Sequence, residues 1–195
     1  MVLIPGGGYS ADGPLLMYAG HAVRRRGGYV HRIAWSPPET VRSSVAKPGP
    51  SFSDESYAWA ASQVATAIGE TAAATGVTAP VMIGKSLGSL AAPLVADRGL
   101  AAVWFTPLLT DEPTVLALRR ATAPCLLVGG TADRLWDGPA ARSITPHVVE
   151  VDGADHGMFV PGELSASAAV LAQVMSAVEL FLDQVVWPQR PVIVG

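Results

Sequence analysis

Pro80-Val81-Met82-Ile83-Gly84-Lys85-Ser86-Leu87-Gly88-Ser89-Leu90 joins two backbone habits with almost no linker between them. Pro80–Gly84 is a short apolar run of strand character, and Leu87 to about Ala96 reads as a helix. The chain must therefore turn at Ser86. A serine on so tight a strand-to-helix turn has strained dihedrals and an exposed hydroxyl, and glycines two positions to either side remove the Cβ atoms that would collide. The following helix aims its free N–H groups and partial positive charge at whatever reacts on that hydroxyl. With 20 glycines in the chain, the pattern Gly-x-Ser-x-Gly is weakly diagnostic alone; the flanking strand and helix give it weight.

Working outward, the same strand–helix rhythm runs the length of the chain. Val2–Pro5, Tyr29–Trp35, Pro80–Gly84, Ala101–Phe105, Pro124–Gly129 and Val148–Val151 read as strands. Leu15–Arg26, Asp54–Thr75 (capped by Ser53 or Asp54 and stopped by Gly76), Leu87–Ala96, Glu112–Arg120, a turn at Pro139–Arg142 and about Glu163 to Val186 read as helices. Apolar strands separated by helices predict an α/β fold, with a largely parallel sheet of about six strands covered on both faces in a three-layer α/β/α sandwich. At 195 residues a single domain spanning 1–195 is expected. The Pro/Ser-rich stretch Ser36–Ser53 is long for a strand–helix connection, which marks it as functional or mobile. The tail Trp187–Gly195 carries no assignable pattern.

Composition narrows the partners. Half the residues are hydrophobic and the formal net charge is −3, so nucleic acid, which needs concentrated positive charge, is not an expected partner. Arg24-Arg25-Arg26 reads as a solvated helix end. No uninterrupted apolar stretch approaches the roughly 18 residues of a membrane span, and Met1–Gly6 lacks the basic start and long apolar run of a secretory signal. One cysteine, Cys125, allows no internal disulfide and fits a reducing cytosol, so a cytoplasmic location is expected. Eleven of the 13 basic residues are Arg, which suggests a GC-rich bacterial source. The oligomeric state is not legible.

A serine hydroxyl is a poor nucleophile until a histidine takes its proton, and the histidine needs a carboxylate to fix its tautomer. Asp133 follows the strand ending at Gly129, and His156 follows the strand Val148–Val151. In a parallel sheet all strand carboxyl ends open on one edge, so loops after three strands can converge. Asp137 and Asp111 are alternatives for the acid. His21, His31 and His147 lie before or within strands or on the first half of the chain, at the wrong edge for a base.

On these residues the chain resembles the α/β-hydrolase superfamily, from about Val2 to Asp183. The resemblance rests on Gly84–Gly88, on the order Ser86…Asp133…His156, and on Leu3-Ile4-Pro5-Gly6-Gly7-Gly8-Tyr9, which is similar to the family's glycine-rich oxyanion loop with Pro5 where a histidine is usual. It implies a Ser86–His156–Asp133 triad and an oxyanion hole made by the backbone N–H groups of Gly7 and Leu87. Two departures matter: the chain opens directly on the oxyanion strand, predicting a trimmed sheet, and Phe105 to Ala123 leaves no room for a cap domain, predicting an open site unless Ser36–Ser53 folds over it.

The expected activity is that of a serine hydrolase acting on a carboxylic ester, thioester or lactone of a small acyl substrate, without cofactor. Acyl transfer or other non-hydrolytic tailoring on the same scaffold is the first alternative, and a binding protein that kept the fold is the second. Trp104, Trp136 and Met158 are candidate substrate contacts because they lie at or just after strand ends, and Tyr9 because it follows the glycine loop with a hydroxyl able to donate to substrate. Lys85 is assigned no role, and its side chain is expected to point away from the hydroxyl. Cys125 reads as an inert core thiol. Asp152 and Asp155 have no second histidine at ligand spacing, so no metal is expected.

Overall fold

A computed structural model describes residues 1–45 and 51–188. The six strands β1 (Val2–Ile4), β2 (His31–Arg32), β3 (Met82–Lys85), β4 (Ala102–Phe105), β5 (Cys125–Gly130) and β6 (Val148–Val151) form one sheet in the order β2-β1-β3-β4-β5-β6. Every neighbouring pair is parallel. The helices are α1 (Pro14–Arg25), α2 (Glu39–Val45), α3 (Asp54–Thr75), α4 (Ala92–Asp97), α5 (Glu112–Arg120), α6 (Gly138–Ile144) and α7 (Leu164–Phe181).

Alternation along the strands sorts side chains onto two faces. Leu3, Ile83, Val103, Leu126 and Val128 pack with Leu16 and Ala19 of α1 and Val170, Val174 and Val178 of α7. Ile4, Met82, Ala102, Trp104 and Leu127 pack with Val64, Ala67 and Ile68 of α3, Val95 of α4 and Leu118 of α5. Register keeps these sets aligned, with Ile83 opposite Val103 and Val103 opposite Leu126. The layers are helix, sheet, helix, as the pattern predicts.

Strand order places the site. From β1 the chain moves out to β2, then returns past β1 to β3 and continues to β6. The loops leaving the adjacent strands β1 and β3 therefore diverge, and a crevice opens at their carboxyl ends. The glycine loop after β1 and Ser86 after β3 both lie there.

Four sequence expectations change in detail. Tyr29–Trp35 yields only His31–Arg32 as strand, because this edge strand pairs with a β1 that ends where Pro5 lacks an N–H. After Ser86 the chain forms a 3₁₀ helix, Ser86–Ala91, before α4 starts beside Pro93, a residue confined to the first helical turn. The Ser36–Ser53 stretch holds α2, and Val41 of α2 is buried with Phe52, Leu87, Leu90 and Leu108; residues 46–50 of the stretch lie outside the described residues, as do 189–195 of the tail. Arg26 is no solvated end: its guanidinium bridges to Asp183 at 2.6 Å and Glu179 at 3.2 Å, tying the end of α1 to the α7 segment.

Other expectations hold closely. Ser53 caps α3 through the Ser56 N–H, and Gly76 closes it at φ +75°. Between β4 and β5 stands α5 and no further helix, so no cap domain is inserted there. Leu164–Val186 is long and apolar enough by composition to cross a membrane, with mean hydropathy 1.6. Val170, Val174, Val178, Phe181 and Leu182 of that segment are nonetheless buried against the sheet and α1.

A Cβ on Gly84 would overlap the Trp104 ring, whereas the exposed helical Gly69 has open space around its Cα. Gly84→Ala is expected to destabilise by about 1–3 kcal/mol, lowering Tm by roughly 2–12 °C at this chain length. Gly69→Ala is expected to stabilise by about 0.5–1 kcal/mol. Thermal unfolding of the two variants checks the pair.

Candidate active site

Ser86 stands at φ +52°, in the left-handed region that side chains rarely adopt. Its surroundings hold it there. Gly84 admits the Trp104 ring on one side, and on the other a Cβ at Gly88 would stand 3.0 Å from the carbonyl oxygens of Ile4 and Pro5. The fully buried Ser89 hydroxyl donates to the Ser86 carbonyl at 2.7 Å and accepts the Leu108 N–H at 3.1 Å. Leu87 and Leu90 bury the turn under Val41 and Phe52. Leu87 lies in the first turn of the 3₁₀ helix, where the first N–H groups have no partner inside the helix.

Asp133 and His156 arrive on the loops after β5 and β6. The Asp133 N–H donates to the Gly130 carbonyl at 3.1 Å, and the Trp136 N–H donates to the Asp133 carbonyl at 3.0 Å, fixing a turn. The His156 loop is shaped by Asp155, whose carboxylate accepts the N–H groups of Gly157 at 2.8 Å and Phe159 at 2.9 Å.

The three side chains form one hydrogen-bonded line. His156 Nε2 lies 2.7 Å from Ser86 Oγ, and His156 Nδ1 lies 2.8 Å from Asp133 Oδ2. The other Asp133 oxygen accepts the Leu135 N–H at 2.9 Å, and the side chain has no solvent exposure. A buried carboxylate with both oxygens engaged holds the imidazole with Nδ1 protonated and Nε2 free to accept from serine.

The alternatives have other employment. Asp111 caps α5 through the Thr114 N–H and accepts from Tyr57, and Asp137 caps α6 through the Ala140 N–H at 2.9 Å. His31 pairs with Glu70 at 3.5 Å, His147 packs edge-on against Phe181, and His21 is exposed on α1.

A cleft of about 440 Å³ adjoins Ser86 and His156, bordered by Gly7, Gly8, Tyr9, Arg42, Lys85 and Gly157. The glycine loop is pinned by the Trp35 indole N–H, which donates to the Gly6 carbonyl at 3.0 Å, and by the Gly6 N–H, which donates to the Tyr9 carbonyl at 2.8 Å. Arg42 comes from α2, so that helix of the Ser36–Ser53 stretch flanks the site.

Of the candidate substrate contacts, only Tyr9 borders this cleft, and its hydroxyl already accepts the Leu15 N–H at 2.8 Å. Burial pushes that phenol above its usual range. Trp104 is a core residue behind Gly84, 1% exposed. Trp136 lies over Gly129 with its indole N–H given to Glu150 at 2.7 Å, away from the cleft. Met158, at φ +65° and buried, borders an adjoining apolar cavity. Strand-end position alone does not separate core from site, because alternate residues at a strand end face opposite layers.

Sequence reasoning missed Lys85. It is 3% exposed, its ammonium donates to the His156 carbonyl at 2.9 Å, and it lies 5.2 Å from the Tyr9 ring centre. Burial pushes its pKa down to about 8, against the opposing pull of Asp133 and Asp155. The lysine thus ties the serine turn to the histidine loop. Burial of a cation inside Gly-x-Ser-x-Gly has no sequence signal, since that position tolerates many residue types.

No family model matches the sequence, and no curated protein matches it. Solved structures do. A Xanthomonas campestris α/β serine hydrolase without a lid matches with TM-score 0.65 and 14% identity over 97% of this chain and 83% of that one. An α/β serine hydrolase homologue from Coxiella burnetii matches with TM-score 0.63 and 12% identity over 93% and 83%. A dienelactone hydrolase from Anabaena variabilis matches with TM-score 0.59 and 19% identity over 90% and 82%. The fold is that of the α/β-hydrolases in a lidless, six-stranded form.

Replacing Asp133 by Asn leaves an amide that holds the ring in the wrong tautomer and cannot stabilise its charge. Asp133→Asn is expected to lower kcat by about 10³–10⁴-fold with the fold retained. Asp137→Asn removes the same charge from the same loop but leaves an equally good helix cap, so kcat stays within about twofold. Steady-state kinetics on one activated ester compares them; the reverse ranking would assign the acid to Asp137.

Proposed function

We propose that the chain is a serine hydrolase that opens a carboxylic ester, thioester or lactone of a small molecule through an acyl-enzyme on Ser86. The observation that carries this reading is the unbroken line from Ser86 Oγ through the His156 ring to the buried Asp133 carboxylate. The fold shared with a lidless serine hydrolase and a dienelactone hydrolase supports it.

In the first half-reaction Ser86 Oγ attacks the substrate carbonyl carbon while its proton passes to His156 Nε2. The resulting imidazolium is stabilised by Asp133. Negative charge on the former carbonyl oxygen is met by the N–H groups of Gly7, in the loop bordering the cleft, and Leu87, in the first turn of the 3₁₀ helix. His156 then hands its proton to the leaving oxygen or sulfur as that bond to carbon breaks. In the second half-reaction water attacks the acyl carbon, His156 takes the water proton, and the acid is released as the proton returns to Ser86. Esters, thioesters and lactones suit this site because their leaving groups need less protonation than an amide nitrogen.

Ser86→Ala removes the nucleophile and changes no packing beyond one oxygen. It is expected to lower kcat on p-nitrophenyl acetate by about 10³-fold or more while Tm moves little. A variant that kept more than a tenth of the activity would place the nucleophile elsewhere.

A further inference from the structure

Beside the catalytic cleft lies a second cavity of about 290 Å³, between the start of α1, the loop after His156 and α7. Tyr9 and Gly157 border both spaces, so the two meet there. Its other walls include Leu15, Met158, Phe159, Leu164 and Leu171. The polar atoms at its edge are already engaged: the Tyr9 hydroxyl by the Leu15 N–H, and the Ser167 hydroxyl by the Val160 N–H at 3.1 Å. A space walled this way selects apolar groups. Its volume is roughly twice that of a 150 Å³ apolar protein cavity that takes benzene. Phe159 and Leu164 are 55% and 74% exposed, leaving apolar surface uncovered at its border.

We infer that this cavity receives the apolar alcohol portion of an ester substrate, an aryl or medium-length alkyl group. The inference rests on the reading of Ser86 and His156 as nucleophile and base. The base fixes which half of the substrate goes there. His156 Nε2 must reach the leaving oxygen to protonate it, and the cavity begins at Gly157, the next residue. The group carried by that oxygen therefore starts at the border between the two spaces and continues into the apolar one. This enzyme selects on the alcohol more than on the acyl group.

Two measurements test this. The first is kcat/KM across methyl, butyl, hexyl and benzyl acetates, and across methyl acetate, butanoate and hexanoate. The alcohol series is expected to rise about fourfold per methylene up to butyl, and the acyl series to stay flat. Ala168→Trp, at an exposed position of α7 on the cavity border, should cut hexyl and benzyl acetate at least tenfold and leave methyl acetate within twofold. A rise along the acyl series alone, or an equal loss on all esters, overturns the inference. The second is titration of benzyl alcohol into isotopically labelled protein followed by amide NMR, which needs no turnover. Shifts at Gly157, Phe159 and Leu171, abolished by Ala168→Trp, support the cavity even in a protein that cleaves no ester, where the hydrolase reading would fall instead. No shifts at these amides overturn the inference even if esters are cleaved.

Discussion

A serine held at positive φ between a buried strand and a tight helical turn is the constraint from which the rest of this structure follows. Such a conformation persists only where its neighbours over-determine it. Here the neighbours are the Trp104 ring behind Gly84, the Ile4 and Pro5 carbonyls beside Gly88, the Ser89 hydroxyl under the Ser86 carbonyl, and the leucines packed beneath α2. Gly84 is needed to admit the Trp104 ring, and Gly88 because the turn is pressed against the adjacent strand. That strand is β1, so the same contact brings the glycine-rich loop beside the serine. Sheet order makes the two loops part at this place, and the crevice between them is the cleft.

Electrostatics binds the remaining loops to the turn. Asp133 is fully shielded and gives both oxygens to hydrogen bonds, one structural and one to the histidine. Lys85 provides a second tie, from the strand below the serine to the backbone of the histidine loop. Burial of its ammonium is unfavourable, as its lowered pKa records. Its folded-state pKa lies below its unfolded value, so the unfolded chain holds the proton more firmly. This residue's contribution to stability is therefore least below about pH 8 and improves as pH rises through about 8 towards the unfolded value. A cation kept at that cost joins two parts of the site that the sheet alone does not connect.

Much of this was legible in the sequence because local and global signals agree. Asp54–Thr75 carries its cap at Ser53 and its stop at Gly76, and both ends fall where those residues place them. Ser86, Asp133 and His156 were readable because each follows an apolar strand, and parallel strands deliver such positions to one edge. What was not legible depends on contacts between distant segments. The helix at Glu39–Val45 is short, and Val41 gains its burial from Leu87 and Phe52. Trp104 and Trp136 looked like substrate walls, yet the glycines across from them, Gly84 and Gly129, leave room for the Trp104 ring in the core and for the partly buried Trp136 ring against the sheet. Lys85 reads as a position without a role until the fold carries the His156 carbonyl to it.

The most direct test of the central claim, that the turn and its hydrogen-bonded line make Ser86 nucleophilic, is peptide mass mapping after reaction with a fluorophosphonate. The account predicts one phosphonyl adduct, on the peptide containing Ser86 and on that serine. An unmodified protein, or an adduct on another residue such as Ser89 or Tyr9, would contradict it.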